Sequence, residues 1–278
     1  VSCAEEEEQF RRLYGDPAGR IEIISPGVEH AFFAPGARVA ARQAIGFDAD
    51  RPLVLFVGRI QPLKGPDVAI RALAALERDD VQLALVGGSS GRNGDVQAAE
   101  AHALVDELGL HDQVHFVEPQ PHHILSSWYR AADVVLVPSR SESFGLVALE
   151  AAACGIPVVA SAVGGLLSLV DDGETGFLIE GRRPTDFAVA MAAILDNAEL
   201  AAAMGTAAEE RARSYTWRAA ADRLGSLYVD LDAAAELVSC HVDDVTEVRH
   251  IDDVLADAAA NETNGAVTVI NPAPEVVS

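Results

Sequence analysis

Lysine is almost absent from this sequence of 278 residues: 19 of its 20 basic residues are arginine, and Lys64 is the only lysine. Against them stand 43 Asp and Glu residues, which give a formal net charge of −23. A chain this acidic lacks the broad basic face that binding to a phosphate backbone requires. We therefore expect no nucleic-acid partner.

Cysteines and long apolar runs are also scarce. Cys3, Cys154 and Cys240 are odd in number and show no C-x-x-C spacing, so the sequence predicts neither a disulfide framework nor a zinc site. No uncharged apolar run approaches the ~18 residues of a membrane span. The acidic start, Val1 to Glu8, is the reverse of a basic signal-peptide n-region. We expect a soluble, cytoplasmic protein without a membrane span.

Half of the residues are hydrophobic and 23% are charged, which permits a sizeable core. Short apolar runs rich in β-branched residues predict buried parallel strands at 21–24, 53–57, 81–86, 114–117, 134–137, 157–160 and, more weakly, 176–179. Helical patterns long enough for crossover helices lie at 66–78, 95–109, 122–132 and 145–154. The predicted fold class is α/β, with a doubly wound, Rossmann-like parallel sheet that binds ligands at the carboxyl ends of its strands.

The pattern becomes helical after the last predicted strand, with helices expected at 185–197, 199–214 and 217–237. Residues 232–278 then carry ten acidic residues against one basic residue, which is typical of a mobile tail. The predicted organisation has three parts: an N-terminal remnant or interdomain segment at 1–19, a Rossmann-like domain with trailing helices at 20–231, and an acidic tail at 232–278.

A loop bordered by glycines follows the strand predicted at 53–57 and reads Gly58-Arg59-Ile60-Gln61-Pro62-Leu63-Lys64-Gly65. It places Arg59 and Lys64 five residues apart, where anionic ligands bind in this fold. Arginine grips two phosphate oxygens in a fork and lysine supplies a compact charge, a combination that suits a diphosphate. The alternative is a solvated pair of surface cations. The presence of the only lysine in this loop favours the binding role.

A second motif, Ser139-Arg140-Ser141-Glu142-Ser143-Phe144-Gly145-Leu146-Val147-Ala148-Leu149-Glu150, follows the strand predicted at 134–137. Ser143 or a neighbour is expected to cap a helix that begins near Gly145, leaving free N–H groups as a phosphate seat. Glu142 precedes this helix and Glu150 lies inside it, so both can border one pocket. Carboxylates suit sugars because each oxygen accepts hydrogen bonds from vicinal hydroxyls. The alternative is structural: a glutamate favoured by the helix dipole and an unrelated one on the helix face.

These motifs resemble a known family. The sequence S-E-S-F-G-L-V-A-L-E-A, with G-R-I-Q-P-L-K-G-P-D before it and A-C-G-I-P-V-V-A after it, is similar to the donor-binding half of retaining GT-B glycosyltransferases of family 4. The resemblance covers about residues 1–230. The quoted motifs most resemble those of family members that transfer N-acetylglucosamine from UDP-GlcNAc to 1D-myo-inositol 3-phosphate in mycothiol biosynthesis.

The resemblance implies a role for each motif residue. Arg59 and Lys64 would hold the donor diphosphate and Glu142 would touch the transferred sugar, which makes these three the expected catalytic residues. Glu150 would bind the ribose hydroxyls. The remaining substrate contacts that it implies are the backbone near Phe144, Gly145 and Leu146 for phosphate, and the stretch around Gln120 beside the uracil.

The same resemblance implies cofactors and partners. The chemistry would require no cofactor, and a magnesium ion would be held by backbone carbonyls of Tyr129, Arg130 and Ala132. The expected partners are a UDP-sugar donor, a sugar- or inositol-phosphate acceptor and, as an open alternative, a second copy of the chain in a homodimer.

GT-B enzymes have two Rossmann-like domains, and the first one binds most of the acceptor. Because the chain begins without Met shortly before the second sheet, we expect a domain of ~150–200 residues upstream. Two alternatives stay open: a family 4 enzyme with a different acceptor, and a nucleotide-binding module that is inactive without the other domain.

Overall fold

The computed structural model describes residues 1–17, 19–47, 50–89 and 94–239, and residues 1–225 form one compact unit around a six-stranded sheet. The strands are β1 (Leu53–Val57), β2 (Gln82–Val86), β3 (Val114–Val117), β4 (Val134–Val137), β5 (Val158–Ser161) and β6 (Gly176–Ile179). The helices are α1 (Ala4–Tyr14), α2 (Arg38–Ile45), α3 (Pro66–Ala75), α4 (Gly94–Leu108), α5 (His122–Ala131), α6 (Leu146–Ala153), α7 (Leu166–Leu169), α8 (Pro184–Leu195), α9 (Ala198–Ala212) and α10 (Trp217–Ser239).

All strand pairs are parallel, in the order β3-β2-β1-β4-β5-β6. The order reverses between β1 and β4, where Val54 lies opposite Val134 and Leu55 opposite Val135. A reversal of this kind is the topological switch point at which open α/β sheets bind their ligands. The predicted doubly wound, Rossmann-like sheet is therefore confirmed. The loops that follow β1 and β4 are the expected place of a ligand site.

Both faces of the sheet are apolar because helices cover both. Successive β1 residues point to opposite faces, so Leu55 packs in one cluster with Tyr129, whereas Phe56 packs in the other with Ile70 and Phe187. Helices α5 and α6 thus cover one face, and α3 and α8 cover the other. This two-sided burial explains why the strands are continuous apolar runs in the sequence.

The strand predicted at 21–24 is wrong. This segment is irregular, and its only backbone partners among the described residues are at the chain start, where Val1 N donates to Glu22 O at 3.0 Å and Ile24 N donates to Val1 O at 2.8 Å. Ile23 is 40% exposed, so the run is not buried on two sides as a central parallel strand is. Helices α1, α2 and α7 were not predicted.

The trailing helices α8, α9 and α10 confirm the predicted helical ending of the domain. No single helix among the described residues is long and apolar enough to span a membrane. Helices α8 and α9 meet that length and composition only when taken together, and they are bent by 99° relative to each other. A second unit begins at Ser226, and its described residues, 226–239, lie in α10. The boundaries predicted at 19/20 and 231/232 stay predictions, and most of the predicted tail, 240–278, lies outside the described residues.

Asp133, just before β4, joins one helix and two strands. Its Oδ2 accepts hydrogen bonds from Leu53 N at 2.7 Å and from Arg42 Nη2 at 2.7 Å, and its Oδ1 pairs with Arg38. Arg42 is buried and also donates from Nε to Ala131 O at 2.9 Å. The carboxylate thus neutralises a buried cation and fixes α2 against the amino ends of β1 and β4.

Replacing Asp133 with Ala should lower the free energy of unfolding by about 3 kcal/mol, because the buried Arg42 would lose this carboxylate and Leu53 N would lose its acceptor. Urea denaturation measures the change. The matched control is Asp186→Ala, which removes the partner of the exposed Arg183 and should cost less than about 1 kcal/mol. Equal losses in the two variants would contradict the assigned role of Asp133.

Candidate functional site

The loops after β1 and β4 meet at the switch point. Arg140 N donates to Leu63 O at 2.8 Å, which ties the two loops through their backbones. Gly65, with φ of +76°, lies so close to Pro138 that a Cβ there would stand 2.4 Å from the Pro138 carbonyl oxygen. Any other residue at 65 would therefore push the loops apart.

This junction brings Lys64 and Glu142 together. Lys64 Nζ donates to Glu142 Oε2 at 2.7 Å, and Ser139 Oγ approaches the same oxygen at 3.4 Å. The side chains are only 22% and 14% exposed, so the ion pair is partly shielded from water. The structure thus unites two residues that the sequence predicted as catalytic and adds a direct bond between them that the sequence did not reveal.

Arg59 stands apart from this pair. Its side chain is exposed and, within the described part of the chain, makes no hydrogen bond or ion pair. The loop after β1 therefore carries two cations: Lys64, which is paired with Glu142, and Arg59, which has no partner among the described residues. This arrangement is suited to an anion that arrives from solvent and contacts the guanidinium before it reaches the ammonium.

The main chain of Glu142 is held by the loop after β5. Gly165 N donates to Glu142 O at 3.1 Å. Gly164 has φ of +51°, and a Cβ there would stand 1.9 Å from the same carbonyl oxygen. These contacts favour close packing as the reason for the Gly164-Gly165 pair.

Helix α6 begins directly after this loop, but its capping differs from the prediction. Gly145 is the N-cap, with φ of +105°, and no side chain caps the helix. The predicted cap by Ser143 is wrong; the Ser143 carbonyl instead accepts a hydrogen bond from Cys3 Sγ at 3.3 Å. The first N–H groups of α6 thus lack a side-chain partner, as a phosphate seat requires. Phe144 is buried and Leu146 is exposed.

Glu150 lies in a different environment from Glu142. Tyr129 Oη donates to Glu150 Oε2 at 2.7 Å across the α5–α6 contact. Burial raises the pKa of the Glu150 carboxyl above its ordinary value, while the Tyr129 hydrogen bond and nearby His122 oppose that rise. The two glutamates are therefore held separately, one by an ammonium group and one by a phenol.

The loops after β2 and β3 lie on the same edge of the sheet. Gln120 is half-buried and donates from its amide to Glu118 O at 2.8 Å. Gly87 packs against the backbone of Gly58, while positions 90–93 lie outside the described residues. His122 and His123 are exposed, and the His122 ring lies 5.6 Å from the Phe33 ring. The role of Gln120 beside a uracil stays a prediction.

The backbone predicted to hold magnesium is the end of α5 and the residue that follows it. The Tyr129 carbonyl accepts a hydrogen bond from Ala132 N at 3.0 Å, and the Ala131 carbonyl accepts one from the Arg42 guanidinium at 2.9 Å. A cation placed here would meet a buried positive charge. The magnesium site at the carbonyls of Tyr129, Arg130 and Ala132 stays a prediction.

Residues of α1 reach the site although the sequence assigned them to an interdomain segment. Glu6, Gln9 and Arg12 line a cavity of about 230 Å³ whose other wall includes Arg140 and Glu142. Its volume suits a small polar ligand. The only sequence signal here was the acidic start of the chain, and nothing in its pattern indicated which loop this segment would contact.

The description of the family model that matches this chain is "Glycosyl transferases group 1", and it matches residues 38–211, a range that contains both loops of the switch point. The chain belongs to this family. A curated relative, the D-inositol 3-phosphate glycosyltransferase of Kribbella flavida, is 48% identical over 231 residues, which are 81% of this chain and 54% of the relative. This group 1 chain thus spans about half the length of the curated relatives it matches.

Two solved structures show the same architecture. Sucrose-phosphate synthase from Thermosynechococcus elongatus is 39% identical, with a TM-score of 0.78 over 84% of this chain and 58% of that one. Anabaena HepE in complex with UDP and glucose is 25% identical, with a TM-score of 0.68 over 74% of this chain and 56% of that one. The sheet and its trailing helices are thus those of a group 1 glycosyltransferase domain.

Gly164→Ala should destabilise the protein by at least about 2 kcal/mol more than Gly173→Ala, as measured by urea denaturation. Both positions have positive φ, so both variants carry a cost of about 1–2 kcal/mol for backbone strain. Only the Cβ at 164 meets another group, the Glu142 carbonyl oxygen, whereas a Cβ at 173 has nothing within 4 Å. Equal losses would show that the loop after β5 does not support the Glu142 main chain.

Proposed function

We propose that this chain is the donor-binding part of a retaining glycosyltransferase that transfers N-acetylglucosamine from UDP-GlcNAc to 1D-myo-inositol 3-phosphate, the first step of mycothiol biosynthesis. The observation that carries the proposal is the Lys64–Glu142 pair at the switch point, with Arg59 in the same loop as Lys64 and free of other partners among the described residues. Support for the substrates comes from several D-inositol 3-phosphate glycosyltransferases that are 43–48% identical to this chain. HepE, which is crystallised with UDP and glucose, supports a UDP-sugar donor.

In this function the diphosphate of the donor lies between the β1 loop and the start of α6. Arg59 and Lys64 supply two positive charges, and the uncapped N–H groups of α6 at Gly145 to Val147 supply hydrogen bonds. All three sources of positive potential act on the same leaving group. They stabilise the charge that develops on the phosphate as the glycosidic bond breaks.

The transfer itself breaks the bond between the anomeric carbon and the β-phosphate oxygen, whose electron pair leaves with UDP. The acceptor hydroxyl oxygen bonds to the anomeric carbon on the same face, and its proton passes to the departing phosphate oxygen. Glu142 is not the nucleophile in this scheme. Its Oε2 accepts a charged hydrogen bond from Lys64, and this bond makes the carboxylate a weaker base and a weaker nucleophile. Its part is to accept hydrogen bonds from sugar hydroxyls.

A second candidate is a nucleotide-binding module that transfers nothing by itself. The observation that favours it is length: the chain covers only 51–56% of the length of curated relatives that it matches. Acceptor binding would then depend on the other half of such proteins. A family 4 enzyme with another acceptor shares the same donor site and is distinguished only by the acceptor used.

Lys64→Ala should weaken UDP binding by about tenfold or more in calorimetric titration, because a charged hydrogen bond to the diphosphate is lost. Glu142→Gln keeps the shape of the side chain, removes the carboxylate that competes for Lys64, and should leave UDP affinity unchanged or improve it. The matched control is Arg71→Ala, which removes an exposed cation from α3 and should change affinity less than about twofold.

Two results would count against the proposed donor site. A folded wild-type chain that shows no saturable UDP binding would contradict it outright. A loss of affinity in Arg71→Ala as large as that in Lys64→Ala would show that only the overall charge of the protein matters.

Transfer of N-acetylglucosamine to 1D-myo-inositol 3-phosphate should require the amino-terminal half of a relative to be supplied together with this chain. Product is measured by mass spectrometry with and without that half, and with glucose 6-phosphate as a control acceptor. Transfer by this chain alone would reject the module hypothesis. A covalent sugar adduct on Glu142 in the active mixture would refute the scheme without a protein nucleophile.

A further inference from the structure

We propose that Tyr129 is the positioning residue of the ribose site: it fixes one oxygen of Glu150 and thereby presents the other to the ribose hydroxyls of the nucleotide. The inference rests on the proposed function, in which Glu150 binds the ribose. It assigns to Tyr129 a role in nucleotide recognition that does not involve a metal ion.

The first step is the bond itself. Tyr129 Oη donates to Glu150 Oε2 at 2.7 Å, and the Tyr129 side chain is fully buried. Glu150 is only half-buried, and its Oε1 accepts no hydrogen bond from any residue that the structure describes. One carboxylate oxygen is thus occupied by the protein, while the other has its full accepting capacity left for a ligand.

The second step is the rigidity of Tyr129. Its ring packs edge-on against Phe33, with centroids 5.7 Å apart and ring planes at 78°, and Phe33 is itself buried. Phe33 also contacts the His122 ring. Because the phenol ring cannot swing, the direction of the Oη–Glu150 bond is fixed, and with it the rotamer of the carboxylate.

The third step concerns charge. Burial raises the pKa of the Tyr129 phenol well above its ordinary value, with Glu150 adding to the rise, so the phenol stays a donor. The neighbouring Cys154 thiol also stays neutral, since burial raises its pKa to about 12. His122 is the other titratable neighbour that acts on Glu150. Without the phenol, the half-buried carboxylate would lose a protein donor and would be harder to keep ionised.

The experiment compares binding of UDP and 2′-deoxy-UDP by the wild-type chain and by Tyr129→Phe. The wild type should prefer UDP by about tenfold or more, since the missing hydroxyl leaves a charged acceptor without its donor. In Tyr129→Phe the preference should fall to about threefold or less. The matched control is Tyr215→Phe, which removes a phenol hydroxyl from a partly buried tyrosine beside Phe144 and should keep the wild-type preference.

The ratio of the two affinities is the decisive readout, because a general loosening of the domain weakens both nucleotides equally. Should Tyr129→Phe fail to fold, Glu150→Asp serves instead: it withdraws the carboxylate from the phenol by one methylene and should lower the preference in the same way. An unchanged preference in the variant that folds would overturn the inference. A wild type that binds neither nucleotide would overturn the proposed function as well.

Discussion

The parallel ladder between β1 and β4 is the constraint on which the candidate site depends. It sets Val54 opposite Val134, so the two strands end at the same edge and their loops meet there. Lys64 and Glu142 are 78 residues apart in sequence, and only this register brings their side chains within 2.7 Å. A slip of one residue would reverse the face of every side chain on one strand and separate the pair. The site therefore follows from the order in which the strands pair.

The sequence predicts most of the sheet because strands buried on both faces are continuous apolar runs. The same signal fails at 21–24, where a run of three isoleucines interrupted by Glu22 stays half-exposed and does not enter the sheet. Residue type also indicated which loops carry the candidate site. The only lysine, Lys64, lies in the loop after β1, Glu142 lies in the loop after β4, and Glu150 lies in the helix that follows that loop. Residue type together with position after a predicted strand thus located the edge of the sheet that carries the candidate site.

What the sequence could not supply is the set of partners of each side chain. The sequence predicts that Ser143 or a neighbour caps α6, because serine is a good N-cap residue, yet the N-cap is Gly145 in a left-handed conformation and no side chain caps the helix. Tyr129 and Glu150 lie on different helices, and their contact depends on how α5 and α6 pack on the sheet rather than on any spacing. The wall that α1 adds beside Glu142 is a tertiary contact of the same kind.

The Lys64–Glu142 pair also resolves an electrostatic conflict within the proposed function. A glutamate that accepts hydrogen bonds from a transferred sugar must stand close to the diphosphate, and an isolated carboxylate there would repel it in a protein that already carries a net charge of −23. With Lys64 bound to it, Glu142 contributes little net charge, and Arg59 adds a positive charge in the same loop as Lys64. When the diphosphate arrives, Lys64 can contact phosphate and carboxylate together, because an ammonium group has three donors. The same lysine can therefore favour the anion and keep the carboxylate in place for the sugar, which explains why a chain otherwise built with arginine uses its one lysine here.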